Sequence, residues 1–129
     1  MRISIPCCLI VALCAGPTSA QLNPVKNPCA GNGGVDICAA ARRTAEALEA
    51  NLPREIAPGI RVQSAAQGGP QVQLDLVVAA DLRLPDAAGF TSFACGEPPL
   101  CALVNRGGQV AYVLNGKTLA TVTSCEEVN

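Results

Sequence analysis

Residues 107–125, GGQVAYVLNGKTLATVTSC, carry the clearest local structure in the chain. Val110, Tyr112 and Leu114 lead into Asn115-Gly116, and Lys117 to Thr123 leads away. Asn-Gly between two runs rich in β-branched and aromatic residues is a strong hairpin signal, because both central residues of a type I′ turn need positive φ. The hairpin runs into Cys125, just ahead of a short acidic tail.

Upstream of it, Pro98-Pro99 opens Leu100-Cys101-Ala102-Leu103-Val104, and Gly107-Gly108 follows. Proline at a first turn and glycine past an end predict a short helix there, with a strand as the alternative. Residues 81–96 are harder to read, since Pro85 and Gly89 interrupt them. Phe90 and Phe93, the only two phenylalanines, are expected to close one end of the core.

Before that segment, Gln71 to Ala79 alternates, with Val72, Leu74, Leu76 and Val78 on one face and Gln71, Gln73 and Asp75 on the other. That is the pattern of a half-buried antiparallel strand. Ile60 and Val62 alternate with Arg61 and Gln63 in the same way, and Gly68-Gly69-Pro70 joins the two runs as a second hairpin with a longer loop. A long helix precedes them. Ile37, Ala41, Ala45, Leu48 and Leu52 fall on one face, while Arg42, Arg43, Glu46 and Glu49 fall on the other. Asp36 is positioned as its N-cap and Pro53 as its stop.

The expected architecture is α+β: a four-stranded antiparallel sheet of two hairpins, packed against one long amphipathic helix, with a short second helix and disulfide support. It occupies residues 36–129 as a single small domain, after a Pro/Gly/Asn-rich lead-in over 21–35. The order resembles that of small exported Gram-negative proteins with no assigned activity. The resemblance spans Ala45 to Cys125 and rests on Asn51-Leu52-Pro53, Cys95, the glycine-ended segment, Tyr112 in a hairpin and Cys125. It implies a fold and brings no function with it.

Residues 1–20 set the expected compartment. Arg2 precedes the apolar run Cys7–Ala15, Gly16-Pro17 breaks it, and Ser19-Ala20 closes a small-residue site. That is the layout of a secretory signal peptide cut after Ala20, and the run is too short for a helix to cross a bilayer. Lipid attachment at Cys14 is the rival reading, with Leu13 standing where a small residue is wanted. A periplasmic or secreted mature chain follows, with no stable membrane span.

Loss of Arg2 leaves eight basic residues against ten acidic ones, a net charge near −2. No basic cluster is present to neutralise phosphates, so nucleic acid is not an expected partner. The chain has no histidine, which removes the commonest general base and the commonest metal ligand. Asp81 and Asp86 flank Leu-Arg-Leu-Pro as loop acids, and Gly31-Asn32-Gly33-Gly34 lacks the strand and the lysine of a phosphate loop. The cystatin wedge Gln-x-Val-x-Gly is not met by Gln71–Asp75. No catalytic, cofactor or metal residues are assigned, and the expected partner is another protein, with a small-ligand carrier as the alternative.

Five cysteines follow residue 20: Cys29, Cys38, Cys95, Cys101 and Cys125. Their spacings contain no Cys-x-x-Cys, which favours structural bridges over redox or zinc chemistry. Cys29–Cys38 is the expected short bridge, with Cys125 joined to Cys95 or Cys101. Intact-mass measurement on protein exported by its own host checks these expectations together. The expected species starts at Gln21, takes one alkyl group before reduction and takes five after it.

Overall fold

The computed structural model describes residues 27–125. The proposed signal segment 1–20, with Cys7, Cys8 and Cys14, lies outside them, as does the acidic end. Helix α1 spans Ile37–Glu49 and is followed by strands β1 (Arg54–Ala57), β2 (Ile60–Gly68) and β3 (Gln71–Val78). Helices α2 (Ala87–Cys95) and α3 (Pro98–Asn105) come next, then β4 (Gln109–Leu114) and β5 (Lys117–Val122). The five strands form one sheet in the order β1-β2-β3-β4-β5.

The class is α+β as the residue patterns indicate, but the details differ from the four-stranded antiparallel expectation. The sheet is mixed: β3 and β4 run parallel, in register from Gln71↔Gln109 to Leu76↔Leu114. Parallel neighbours cannot be joined by a tight turn, so the chain must cross over one face of the sheet, and α2 and α3 form that crossover. The fifth strand, β1, doubles back on β2 through Pro58-Gly59, with Ala57 opposite Ile60 and Gly59 at φ 81°. Proline followed by a positive-φ glycine is the signature of a type II turn. The β2–β3 loop is also tighter than expected, two residues with Gly68 opposite Gln71.

Three α-helices are present among the described residues rather than two. In α2, Asp86 caps the N-terminus by accepting from Gly89 N at 2.9 Å. Gly89 does not interrupt the helix. It sits in the first turn, where a Cβ would come within 2.7 Å of Pro85. Close approach of the preceding proline therefore demands the residue that appears, in one dimension, to break the pattern.

Helix α1 is capped by Asp36, which accepts from Ala39 N at 3.1 Å. Its buried stripe is Ile37, Ala40, Ala41 and Ala45, and the small alanines let it lie close on β2 and β3. Ile60, Val62, Val72, Leu74, Leu76, Val110, Tyr112 and Val122 rise from the strands into the same core. Phe90 meets Tyr112 at a ring-centroid distance of 4.9 Å and Phe93 edge-on at 5.9 Å. Such ring pairs add about 1 kcal/mol each beyond the area they bury.

On the far face, Ala111 and Val113 of β4 are also buried although none of the described helices packs over them. They are small, and their sheet neighbours Gln73 and Asp75 lie directly beside them. Beyond Val62 the outer side of β2 has no strand partner among the described residues, because β1 pairs only with Ile60–Val62. There the Glu49 carboxylate accepts from Ala65 N at 2.7 Å, in the place of a missing strand.

Two disulfides close. Cys29–Cys38 binds the segment before α1 to its first turn, and Cys95–Cys125 binds the end of α2 to the chain leaving β5. In the chain-entropy model they contribute about 3 and about 4 kcal/mol respectively. Cys101 is the free thiol among the described residues, half-buried on α3.

The closing hairpin has the expected geometry, with Leu114 opposite Lys117 and both turn residues at positive φ, 52° for Asn115 and 81° for Gly116. A Cβ at Gly116 would meet no atom within 4 Å. The cost of a side chain there is therefore purely conformational. Gly116→Val is expected to destabilise by about 1–2 kcal/mol and lower Tm by roughly 5–10 °C. Unchanged thermal unfolding by circular dichroism would contradict the turn.

Candidate functional site

The residues singled out in the sequence do not converge on one place. Asp86 is occupied as the α2 cap, and Asp81 stands exposed in the loop after β3 with φ 68°. The glycine-rich segment 31–34 uses its backbone to dock. Asn32 N donates to Arg106 O at 2.8 Å, Asn32 Nδ2 donates to Asn105 O at 3.1 Å, and Gly31 N donates to Val35 O at 2.7 Å. The two Asn32 contacts fasten the segment to the end of α3, and the Gly31–Val35 bond closes the segment on itself. Four of the five cysteines are consumed in bridges, and Asn105 Nδ2 lies 3.5 Å from the Cys101 sulfur as a donor.

What the fold does assemble is an apolar cleft that no motif marked. It opens where α1 ends, between that helix end, β1 and the α2–α3 junction, with the sheet as its floor. Leu48, Leu52 and Ile56 line one side, Phe93 and Leu100 the other, and Val62, Leu74 and Tyr112 the floor. Its rim is polar: Asn51, Arg54 and Glu97. The enclosed volume is about 40 Å³.

Each wall follows from a local rule. Leu48 is on the apolar face of α1 but one turn beyond the alanines that pack tightly, so it is only half-buried and leaves room beside it. Leu52 comes after the helix has ended at Glu49, in a bend that directs the chain into β1. Glu97 is the residue before Pro98-Pro99, extended in conformation at the start of α3. Its carboxylate pairs with the Arg54 guanidinium across the mouth, with side-chain exposures of 23% and 46%. An exposed pair of this kind stabilises by under about 1 kcal/mol, so its importance lies in where it holds the two side chains.

Tyr112 is the unusual member. It is 1% exposed, on the inner strand β4, and it is the only tyrosine of the chain. Its hydroxyl has no hydrogen-bond partner among the described residues, although buried tyrosine hydroxyls ordinarily find one. Burial, with the negative charge of Glu97 as a lesser cause, holds the phenol well above its usual range. Sequence reading places Tyr112 in the closing hairpin, and the structure turns its side chain into the core. The available signal for more was that a lone inward tyrosine carries a hydroxyl into the core and must do something with it.

Titration gives a direct check. An unfolded chain ionises its tyrosine near pH 10.0, whereas the folded chain resists. The associated stability is intact below pH 10 and declines as pH rises beyond it, because the unfolded state releases a proton that the folded state retains. Absorbance of the single phenolate is expected to appear only with loss of ellipticity. The alkaline drop in Tm is expected to shrink in Tyr112→Phe. A phenolate that forms near pH 10 in the folded protein would show that the hydroxyl is solvated.

No family model matches the chain, and no curated protein matches it in sequence. Three solved structures share the fold. The type II secretion system pilotin AspS from Vibrio cholerae aligns with 70% of this chain and 90% of its own, at TM-score 0.54 and 18% identity. The type 2 secretion pilotin EpsS from Vibrio vulnificus aligns with 72% of this chain and 92% of its own, at TM-score 0.55 and 14% identity. A protein from Pseudomonas aeruginosa described as secreted aligns with 67% and 86%, at TM-score 0.52 and 18% identity. At these identities the chain is similar to them in fold: nearly the whole of each neighbour is matched by the α+β domain described above.

Proposed function

We propose that this chain is an exported accessory protein of the bacterial envelope, processed after Ala20, that acts by binding another protein and has no catalytic activity. The role we assign it is that of a pilotin-like helper of a secretion system. The observation that carries the reading is the fold, matched over about nine-tenths of two type II secretion pilotins. The apolar cleft with its charged rim supports it by supplying a surface suited to a protein segment. The absence of histidine from the chain supports the non-catalytic part. Two disulfides fit an oxidising compartment such as the periplasm.

A small-ligand carrier is less well supported. Pockets for free small molecules enclose roughly 300–1,000 Å³. The apolar cleft offers about 40 Å³, and the roomier hollow of about 360 Å³ between α1 and β2 is lined largely by the charged and polar Arg42, Glu46, Glu49 and Gln67.

The test is purification of the tagged mature protein from its own host's envelope after mild crosslinking, followed by reconstitution with any partner from pure components. One envelope protein is expected to co-purify in fixed proportion and to rebind when both are pure. A monodisperse chain that captures nothing under these conditions would sink the accessory reading.

A further inference from the structure

The cleft beside Tyr112 is apolar on its walls and floor, and yet it ends on a buried hydroxyl without a partner. That combination has a specific chemical meaning. A buried donor left unpaired carries a desolvation penalty, and native folds retain one mainly where something else supplies the acceptor. Glu97 is the obvious acceptor nearby, since its charge reaches the phenol. Its carboxylate is instead directed to Arg54. At 46% exposure the Arg54 side chain presents several N–H donors, of which a single contact, to Glu97, is described. The mouth therefore offers donors both above, from Arg54, and below, from Tyr112.

Size narrows the occupant. A cavity needs about 10–15 Å³ on this measure for each water it holds, so about 40 Å³ is the space of three or so waters. That matches the few carbons of one branched aliphatic side chain and falls far short of a lipid chain or a free drug-sized molecule.

We infer that the cleft lined by Leu48, Leu52, Phe93 and Leu100 is a socket for one branched aliphatic side chain of a partner protein, with Tyr112 donating to an acceptor beside that side chain. The acceptor is a backbone carbonyl or carboxylate of the same segment, and Arg54 at the rim attracts acceptors of that kind. This rests on the protein-binding reading above and adds to it the place of contact and the chemistry recognised there.

The experiment is selection of a displayed library of random linear and helical peptides on the purified, disulfide-bonded protein. Recovered peptides are then titrated against wild type, Tyr112→Phe and Asn51→Trp. Asn51 is exposed at the rim, so the tryptophan covers the cleft without entering the core. The expected peptides share a Leu, Ile or Val, change the fluorescence of the single tyrosine, weaken about tenfold on Tyr112→Phe and lose binding on Asn51→Trp. Tyr112→Phe is expected to keep or raise the wild-type Tm, since the hydroxyl it removes has no partner in the fold and carries a desolvation penalty; a merely structural tyrosine would lose stability instead.

Peptides indifferent to both substitutions, or a library that yields none, would overturn the socket. So would native mass spectrometry showing a fatty acid in the cleft, or self-association abolished by Asn51→Trp, which would assign the cleft to a lipid or a second copy. An envelope partner that binds Asn51→Trp as well as wild type would remove the socket and leave the accessory function standing. Socket-binding peptides without any envelope partner would do the reverse.

Discussion

The parallel pairing of β3 with β4 governs the rest of the structure. An antiparallel neighbour can be reached through two residues, but a parallel one requires the chain to travel the length of the sheet and return. Residues 79–108 make that journey, and they make it as α2 and α3 over the same face that α1 covers. The α2–α3 part of the helical layer is thus a consequence of strand direction. Cys95–Cys125 then joins the far end of α2 to the chain beyond β5, so that the crossover is held to the last strand covalently. The cleft exists because this layer is assembled from two sources, the end of α1 and the α2–α3 junction, which meet without filling the space over Tyr112.

Much of the fold was legible in one dimension, and the limits have physical causes. Period-two alternation over residues 71–78 and the Asn115-Gly116 turn identify their strands because local chemistry dictates both. The apolar stripe of α1 is equally local. Strand β1 was missed because its four residues are too few to show a period, although Pro58-Gly59 carried the turn signal that reveals it. Helix α2 was missed because Gly89 looks like a breaker in isolation, and its role depends on where Pro85 lies in space. Parallel order leaves no trace in the residues of β3 or β4 themselves, apart from Ala111 and Val113 staying small and apolar where an edge strand would be polar.

The site was less legible than the fold. No motif joins Arg54 to Glu97, which are brought together only when β1 and the start of α3 meet across the cleft. Leu48 and Leu52 read as ordinary core residues, and only the early end of α1 at Glu49 turns them into walls. A cleft that depends on the incomplete closure of a core has this character: each residue obeys its local rule, and the open space arises only between elements.

Glu49 has a consequence of a different kind. Its carboxylate stands against Ala65 N on the bare flank of β2, the one long stretch of that strand without a neighbour. Open flanks of this sort are templates on which one chain can zip to another. A charged side chain already seated at the middle of the flank must be displaced, and its charge accommodated, before a foreign strand can dock. The same helix that builds the core thereby also guards colloidal behaviour, keeping one copy of the protein from adding a strand to another.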